Sequence, residues 1–362
     1  MSEKKREIMR QPNLELLRVV AMFMVVVMHA LGHGGVLEKT EFGSVQYIFL
    51  WLISTLCQVA VPCFVLISGY FLCMSKFKLS RIIKLVFQVL FYTISLALVR
   101  IVCFDKSLSL SVVLHGIFPI TSSEYWFITQ YFLLICISPL LNHVISKISK
   151  RDFEITTISL TVLFSVIPTF FFWSKDYFSD GYDLPWFILL YFYAAYIRLY
   201  GNKIRYGGGI YFLLSVICVA SRVVIGTIAN RTTGSYTGAG FLYGGNSIFM
   251  LISSISLFSV FLKLKIYKEQ AAYVINAVAS YSIGVYLFHN NTAIRTIMWK
   301  LLNPSRFVND SVVMEMIWII FISLIVFGIG CIIEWFRLIL MKAFSEQRFL
   351  DKIDEKCSMN EE

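Results

Sequence analysis

Apolar runs of about twenty residues recur along the chain, separated by short polar connections, at roughly 14–33, 45–73, 79–103, 125–146, 154–173, 185–200, 208–228, 246–266, 273–298 and 311–341. A run of that length crosses the hydrocarbon core of a bilayer as a helix, so the pattern predicts an all-α bundle of about ten transmembrane helices. The second run is long for one crossing and contains Pro62, which predicts a kink. The sixth, PWFILLYFYAAYIRLY, is short and relies on its aromatic residues at the interfaces. The opening MSEKKREIMR followed by an apolar run imitates a signal peptide. The run is nearly as long as a full span and leads into GHGG without an A-x-A site, so an uncleaved first span is expected. Residues 1–13 then form a cytoplasmic N-terminal segment, 14–344 a membrane domain, and 345–362 a charged cytoplasmic tail. No internal repeat is visible, and no pair of broken helices at matching positions in two halves, which a secondary transporter often shows.

Composition agrees with this reading: 58% of residues are hydrophobic, 15% are charged and the mean hydropathy is +0.73. No stretch is polar and long enough for a separate soluble domain. A net charge of +10 would suit nucleic acid if it were gathered on one surface, but the cations stand in short clusters between apolar runs. Of the 32 Lys and Arg, 22 fall in or toward the N-terminal segment, the C-terminal region and every second connection, nine fall in or toward the alternate connections, and Arg18 lies inside the first run. Positive charge marks the cytoplasmic side, so both termini are expected there and the number of spans is even. The eight cysteines are scattered, mostly within apolar runs, without CxxC or Cys/His ligand spacing, and read as small apolar fillers rather than a metal site.

The first span carries the most unusual chemistry. Arg18 and His29 are eleven residues apart, about 20° past three full turns, so they share one helix face roughly 16 Å apart along the axis. Glu15, three residues before Arg18, lies on the same side. Ionisable groups inside a membrane are costly and are expected to face a cavity or a partner. Arg222, late in the seventh span, must do likewise. Glu334 and Arg337 stand at i, i+3 on the last span and form a local pair. His289 lies in the ninth span close to the outer interface, His33 reads as a solvated helix end, and His115 and His143 as loop or interface residues. The outer connections WSKDYFSDGYDLPW at 173–186 and NRTTGSYTGAGFLYGGN at 230–246 suit a polar ligand with flat apolar faces, such as a sugar, and equally an aromatic interfacial belt.

The segment PNLELLRVVAMFMVVVMHA resembles the opening of the acyltransferase-3 membrane family, whose members O-acylate sugars of peptidoglycan, capsule, exopolysaccharide and lipopolysaccharide. The matching element is an arginine, ten intervening residues and a histidine, here Arg18 and His29. In AVPCFVLISGYFL, residues Val61, Pro62, Ser68, Gly69, Tyr70 and Phe71 fall where the family has its proline and SGYF-like ending. YWFITQYFLLICISPLL, around Trp126, Tyr131 and Pro139, is similar to its WF-to-proline helix, and SYSIGVYLFHN, with His289, to its late span closing on tyrosine, leucine and histidine. One departure is at the start of the third span, where the family commonly has two neighbouring arginines. Here FKLSRIIKLV keeps Arg81 and offers Lys84 at a different spacing, a point charge without the guanidinium fork. No hydrolase-like domain of the kind some members append follows, so the membrane domain or a partner is expected to complete the transfer.

The resemblance implies transfer of an acetyl group, or another short acyl group such as succinyl, from cytoplasmic acyl-coenzyme A to a hydroxyl of an extracytoplasmic polysaccharide or lipid-linked glycan, in the plasma membrane of a bacterium. Arg18, Arg81 and Lys84 would hold the donor's phosphates. His29, desolvated in the outer half and favoured as the neutral imidazole, would act as general base on the hydroxyl, with an acyl-histidine intermediate as the rival mechanism. Glu15 would orient Arg18. Ser68, Tyr70 and Trp126 are candidate donors to substrate or oxyanion, and His289 and Arg222 are candidate acceptor-side residues. No metal is called for. Two other classes fit the span count: a transporter or flippase with the Arg18–His29 stripe as its gate, and a non-catalytic assembly protein, against which the presence of His29 speaks. Small residues in SIGVY and FGIGC serve equally within one bundle or between copies.

Overall fold

The computed structural model describes residues 11–104, 118–120, 124–171, 180–343, 349–351 and 353–355. Lys4, Lys5, Arg6 and Arg10 of the N-terminal cluster, Lys106, His115, Lys175, residues 173–179 of the first aromatic connection, and Arg348, Lys352, Lys356 and Cys357 of the tail lie outside them.

The described residues contain helices and no strand. Helix α1, Pro12–Gly32, opens with its proline at the first position, where no amide partner is lost, and with Glu15 in the first turn. After the single turn Val36–Lys39 comes α2, Val45–Gln58, capped by Ser44 Oγ accepting from Tyr47 N at 3.1 Å. Helix α3, Ala60–Leu72, continues the same crossing after a break at Val59. Pro62 explains the break: it has no N–H to offer the Gln58 carbonyl and its ring crowds it, so the ladder resumes with Cys63 N on Val59 O at 2.9 Å. Then follow α4, Leu79–Cys103; α5, Trp126–Lys147; and α6, Lys150–Thr161. Helix α6 runs through a five-residue π segment, Val162–Val166, into the turn Ile167–Phe170, the wider turn accommodating Pro168. Helices α7, Leu184–Tyr200, α8, Gly207–Thr233, and α9, Ile248–Lys263, are followed by α10, Glu269–Ser280, and α11, Ser282–His289, which form one crossing interrupted at Tyr281. The amphipathic α12, Arg295–Leu302, and the long α13, Val312–Ala343, complete the bundle.

Among the described residues, eight crossings are long and apolar enough to span a membrane, and α7 and α9 are shorter apolar helices, giving the expected ten. The ninth is shorter than the apolar pattern predicts. It ends at His289 rather than near residue 298, because Asn291 Oδ1 accepts from Ala293 N at 2.9 Å and turns the chain, and α12 then runs separately with Trp299 buried and Lys300 and Leu301 exposed.

Helix α1 is the hub. It packs against α2, α3, α9, α10, α11 and α13, and Leu14, Leu17, Ala21, Val26, Ala30 and Leu31 are fully buried there. Helices α3 and α7 approach closely across a glycine: a Cβ on Gly69 would lie 3.1 Å from Tyr191 Cα. The Glu334–Arg337 pair proves larger than a local one. Gln88 and Tyr92 of α4 donate to the Glu334 carboxylate at 2.9 and 2.8 Å, so a fully buried network ties α4 to α13.

Candidate active site

Two histidines from distant parts of the chain meet at the outer end of the bundle. His29 Nδ1, near the end of α1, lies 2.9 Å from Nε2 of His289, the last residue of α11. His289 Nδ1 lies 2.6 Å from Val285 O one turn back. A carbonyl only accepts, so in the neutral pair the His289 proton sits on Nδ1 and its Nε2 is the acceptor. His29 therefore carries its proton on Nδ1 and donates it. Its Nε2 is left with a bare lone pair and, among the described residues, no partner. His289 is fully buried, whereas His29 is half-buried and lines a cavity of about 320 Å³ together with Met28, Gly32, His33, Trp126, Tyr182, Asn290 and Arg295.

The chain around His289 is held from several directions. Tyr125 OH donates to Leu287 O at 2.9 Å and accepts from Asn291 Nδ2 at 2.6 Å, and Glu124 Oε1 accepts from both Thr292 N and Oγ1. Asn290 bridges Tyr286 OH and Arg295 Nη1 at 3.1 and 3.2 Å. The residues just before α5 thus fix the end of α11, while Trp126, the first residue of α5, faces Tyr182 with ring centroids 4.4 Å apart. Trp126 and His29 share the cavity that the sequence could suggest only as two separate candidates.

At the opposite end, Glu15 Oε2 accepts from Arg18 Nε at 3.2 Å. Arg81, in the first turn of α4, donates to Ser75 Oγ at 3.0 Å and lines a cavity of about 200 Å³ with Lys76, Phe77, Ser138, Pro139 and Asn142. Lys84, one turn on, is exposed and outside that cavity, and Arg18 does not line it either. Tyr70 accepts from Arg198 Nη1 at 3.0 Å, with the guanidinium 4.7 Å from its ring centre, and Ser68 Oγ donates to Tyr131 OH at 3.4 Å. Tyr70 therefore sits toward the basic end of the bundle, away from the histidine pair.

A family model described as an acyltransferase domain, acyltransferase-3, matches residues 11–335, or 325 of the 362. The chain belongs to the acyltransferase-3 family. No curated protein and no solved structure matches it. Along this membrane-bound acyltransferase the match runs from the start of α1 into α13 and includes the helices that carry both histidines.

Arg222 occupies a third place in the acyltransferase. It donates through Nε to Tyr47 OH at 2.7 Å and stacks on Trp51 with its guanidinium 3.3 Å from the ring centre, with Tyr243 closing the box. Aromatic faces thus take the place of the cavity or carboxylate expected for it. Burial pushes the Tyr243 phenol up to about 12, so it stays protonated and donates to Gln58 Oε1 at 3.1 Å.

Sequence reasoning missed several residues of these sites. Tyr182 lies before the sixth span, Asn290 and Arg295 lie inside the run that hydropathy carries past the true helix end at His289, and Lys76 and Arg198 read as ordinary inner-side cations. Asn290 had a usable signal, since two consecutive asparagines directly after a histidine are poor membrane residues and good helix stops.

Proposed function

We propose that this acyltransferase moves an acetyl or other short acyl group from cytoplasmic acyl-coenzyme A to a hydroxyl of an extracytoplasmic cell-surface glycan, in the plasma membrane of a bacterium, with His29 as general base. The observation that carries the reading is the relay from Val285 O through His289 to His29. It presents an unprotonated Nε2 on a ring that lines an outer cavity with two aromatic residues.

The reaction needs an anion-holding site at the inner face and a base at the outer end. Arg81 and Lys76, with Ser75 and Asn142, give the inner cavity a cationic and hydrogen-bonding lining that fits phosphate groups. The donor supplies an activated acyl carbonyl and a thiolate leaving group. His29 Nε2 takes the proton of the sugar hydroxyl as its oxygen bonds to the acyl carbon, and the imidazolium returns that proton to the sulfur as the C–S bond breaks. His289 is a positioning residue: it accepts from His29 Nδ1, fixes the tautomer and steadies the imidazolium. Trp126 and Tyr182 offer flat faces on which a sugar ring can stack. The acyl-histidine route would use the same Nε2 as nucleophile.

The test uses the purified full chain in nanodiscs. Acetyl- and succinyl-coenzyme A binding, and release of free coenzyme A with and without polysaccharide acceptors, are measured for wild type and Arg81→Ala. Binding with acceptor-stimulated release, weakened in Arg81→Ala, is expected. Folded wild type that neither binds nor turns over either thioester overturns the reading.

A further inference from the structure

The cavity that holds His29 is continuous in its lining with a second one. His33 and Arg295 border both, and beyond them the second cavity, about 370 Å³, is lined by Lys39, Lys300, Asn303 and Ser305 among others. Three cations therefore surround one outer cavity, and none of its lining residues is acidic. Glu38 and Glu41 flank Lys39 in the chain but line neither cavity, Glu124 accepts from Thr292, and Glu315, fully buried, accepts from Phe307 N through Oε2 at 2.9 Å. Lys39 Nζ donates to Ser305 Oγ at 2.7 Å, which spends one of its three hydrogens, and Arg295 spends part of its fork on Asn290. Lys39 and Lys300 are exposed to the cavity mouth.

Cations are depleted on the outer side of a membrane protein, and this chain follows that bias, with nine toward the outer side against 22 toward the inner side. Three of those nine converge on one cavity that borders the candidate base. Repulsion among them would be relieved by an anion, and donors of this kind bind carboxylate or phosphate by charge-assisted hydrogen bonds.

We infer that this outer cavity binds an anionic group of the acceptor, a carboxylate or phosphate carried on the modified sugar or its neighbour, so that the acceptor is an acidic glycan. The identity of the ligand as acceptor rests on the acyltransferase reading above; the anion site itself does not.

The test is a binding measurement without acyl donor, on the full chain in nanodiscs of neutral lipid. The probes are a uronate trisaccharide, its carboxyl-reduced neutral counterpart and a sugar phosphate, and the proteins are wild type, K39Q/K300Q and K39R/K300R. Wild type is expected to bind both charged sugars at least about tenfold tighter than the neutral one, with a preference that fades as salt rises. K39Q/K300Q should lose the preference and K39R/K300R keep it, which separates charge from folding. Equal affinity for charged and neutral sugars, binding of none of the probes, or a preference that survives in K39Q/K300Q would overturn the proposal. So would anionic-lipid nanodiscs that abolish uronate binding, since phospholipid headgroups would then be the occupants. If the uronate binds through these lysines while no thioester is bound or turned over, the transfer reading falls and the anion site stands.

Discussion

Replacing His289 by leucine tests the relay at its least obvious member. His289 is fully buried, and its Nε2 is the acceptor for His29 Nδ1 at 2.9 Å. Leucine fills similar space and offers no acceptor, so His29 has two ways out. It can keep its proton on Nδ1 without a partner, which costs about 1–3 kcal/mol for a buried donor. Alternatively it can shift the proton to Nε2, which removes the lone pair that serves as base. Either route raises the barrier by at least part of that amount, so kcat should fall by about 5- to 150-fold. The proposed thioester site lies at the other end of the bundle, so the donor's KM should stay within about twofold. His289→Gln, whose side-chain carbonyl can accept, should recover part of the loss. The assay is coenzyme A release at saturating donor with acceptor present, followed as a function of pH. Nitrogen NMR of labelled histidine should find the Nδ1–H tautomer at His29 in wild type and a changed pattern in His289→Leu. Wild-type kcat in His289→Leu, or an Nε2–H tautomer in the wild-type protein, would refute the reasoning.

Other outcomes follow from the same geometry. Arg81→Ala should weaken thioester binding by about ten- to a hundredfold, as expected for a lost charge-assisted contact, whereas Lys84→Ala, exposed and outside the inner cavity, should change it by less than about threefold; titration of acetyl-coenzyme A checks both. Glu334→Ala strands the buried Arg337 guanidinium and two α4 donors, and should cost about 3–5 kcal/mol, read as a large drop in unfolding temperature in detergent. Gly284→Ala brings two effects into conflict. Alanine gains about 1 kcal/mol of helix propensity, but its Cβ would lie 2.5 Å from Glu334 Oε2 and 2.7 Å from Glu334 Cβ, and a carboxylate locked by three partners cannot move aside. The clash should win, and a variant at least as stable as wild type would contradict the packing described here.

The sequence carried the architecture well because its dominant signal is length. Runs of about twenty apolar residues report crossings whatever they pack against, and Pro62 announced the break at Val59 through covalent geometry alone. The same signal failed at the ninth span, where Ala293, Ile294, Ile297 and Met298 continue the apolar pattern past a stop made by the Asn291 side chain. The Arg18–Glu15 pair was legible because both residues share one helix. The His29–His289 contact was not, since 260 residues separate them and only the parallel packing of α1 and α11 brings their C-terminal ends together. Tyr70 and Ser68 illustrate the converse. Their polar side chains on a buried helix read as substrate donors, yet Arg198 and Tyr131, invisible as partners in one dimension, engage them in the structure.

The central claim is that His29 Nε2 activates a glycan hydroxyl toward an acyl group held from the other side of the membrane. The most direct measurement is transfer of a carbon-13 acetyl group from acetyl-coenzyme A to an acidic oligosaccharide by the chain in nanodiscs, with the ester found by mass spectrometry, for wild type and His29→Ala. The account predicts labelled O-acetyl sugar with wild type, and none with His29→Ala although that variant binds acetyl-coenzyme A as wild type does. Equal ester formation by the two proteins would contradict it.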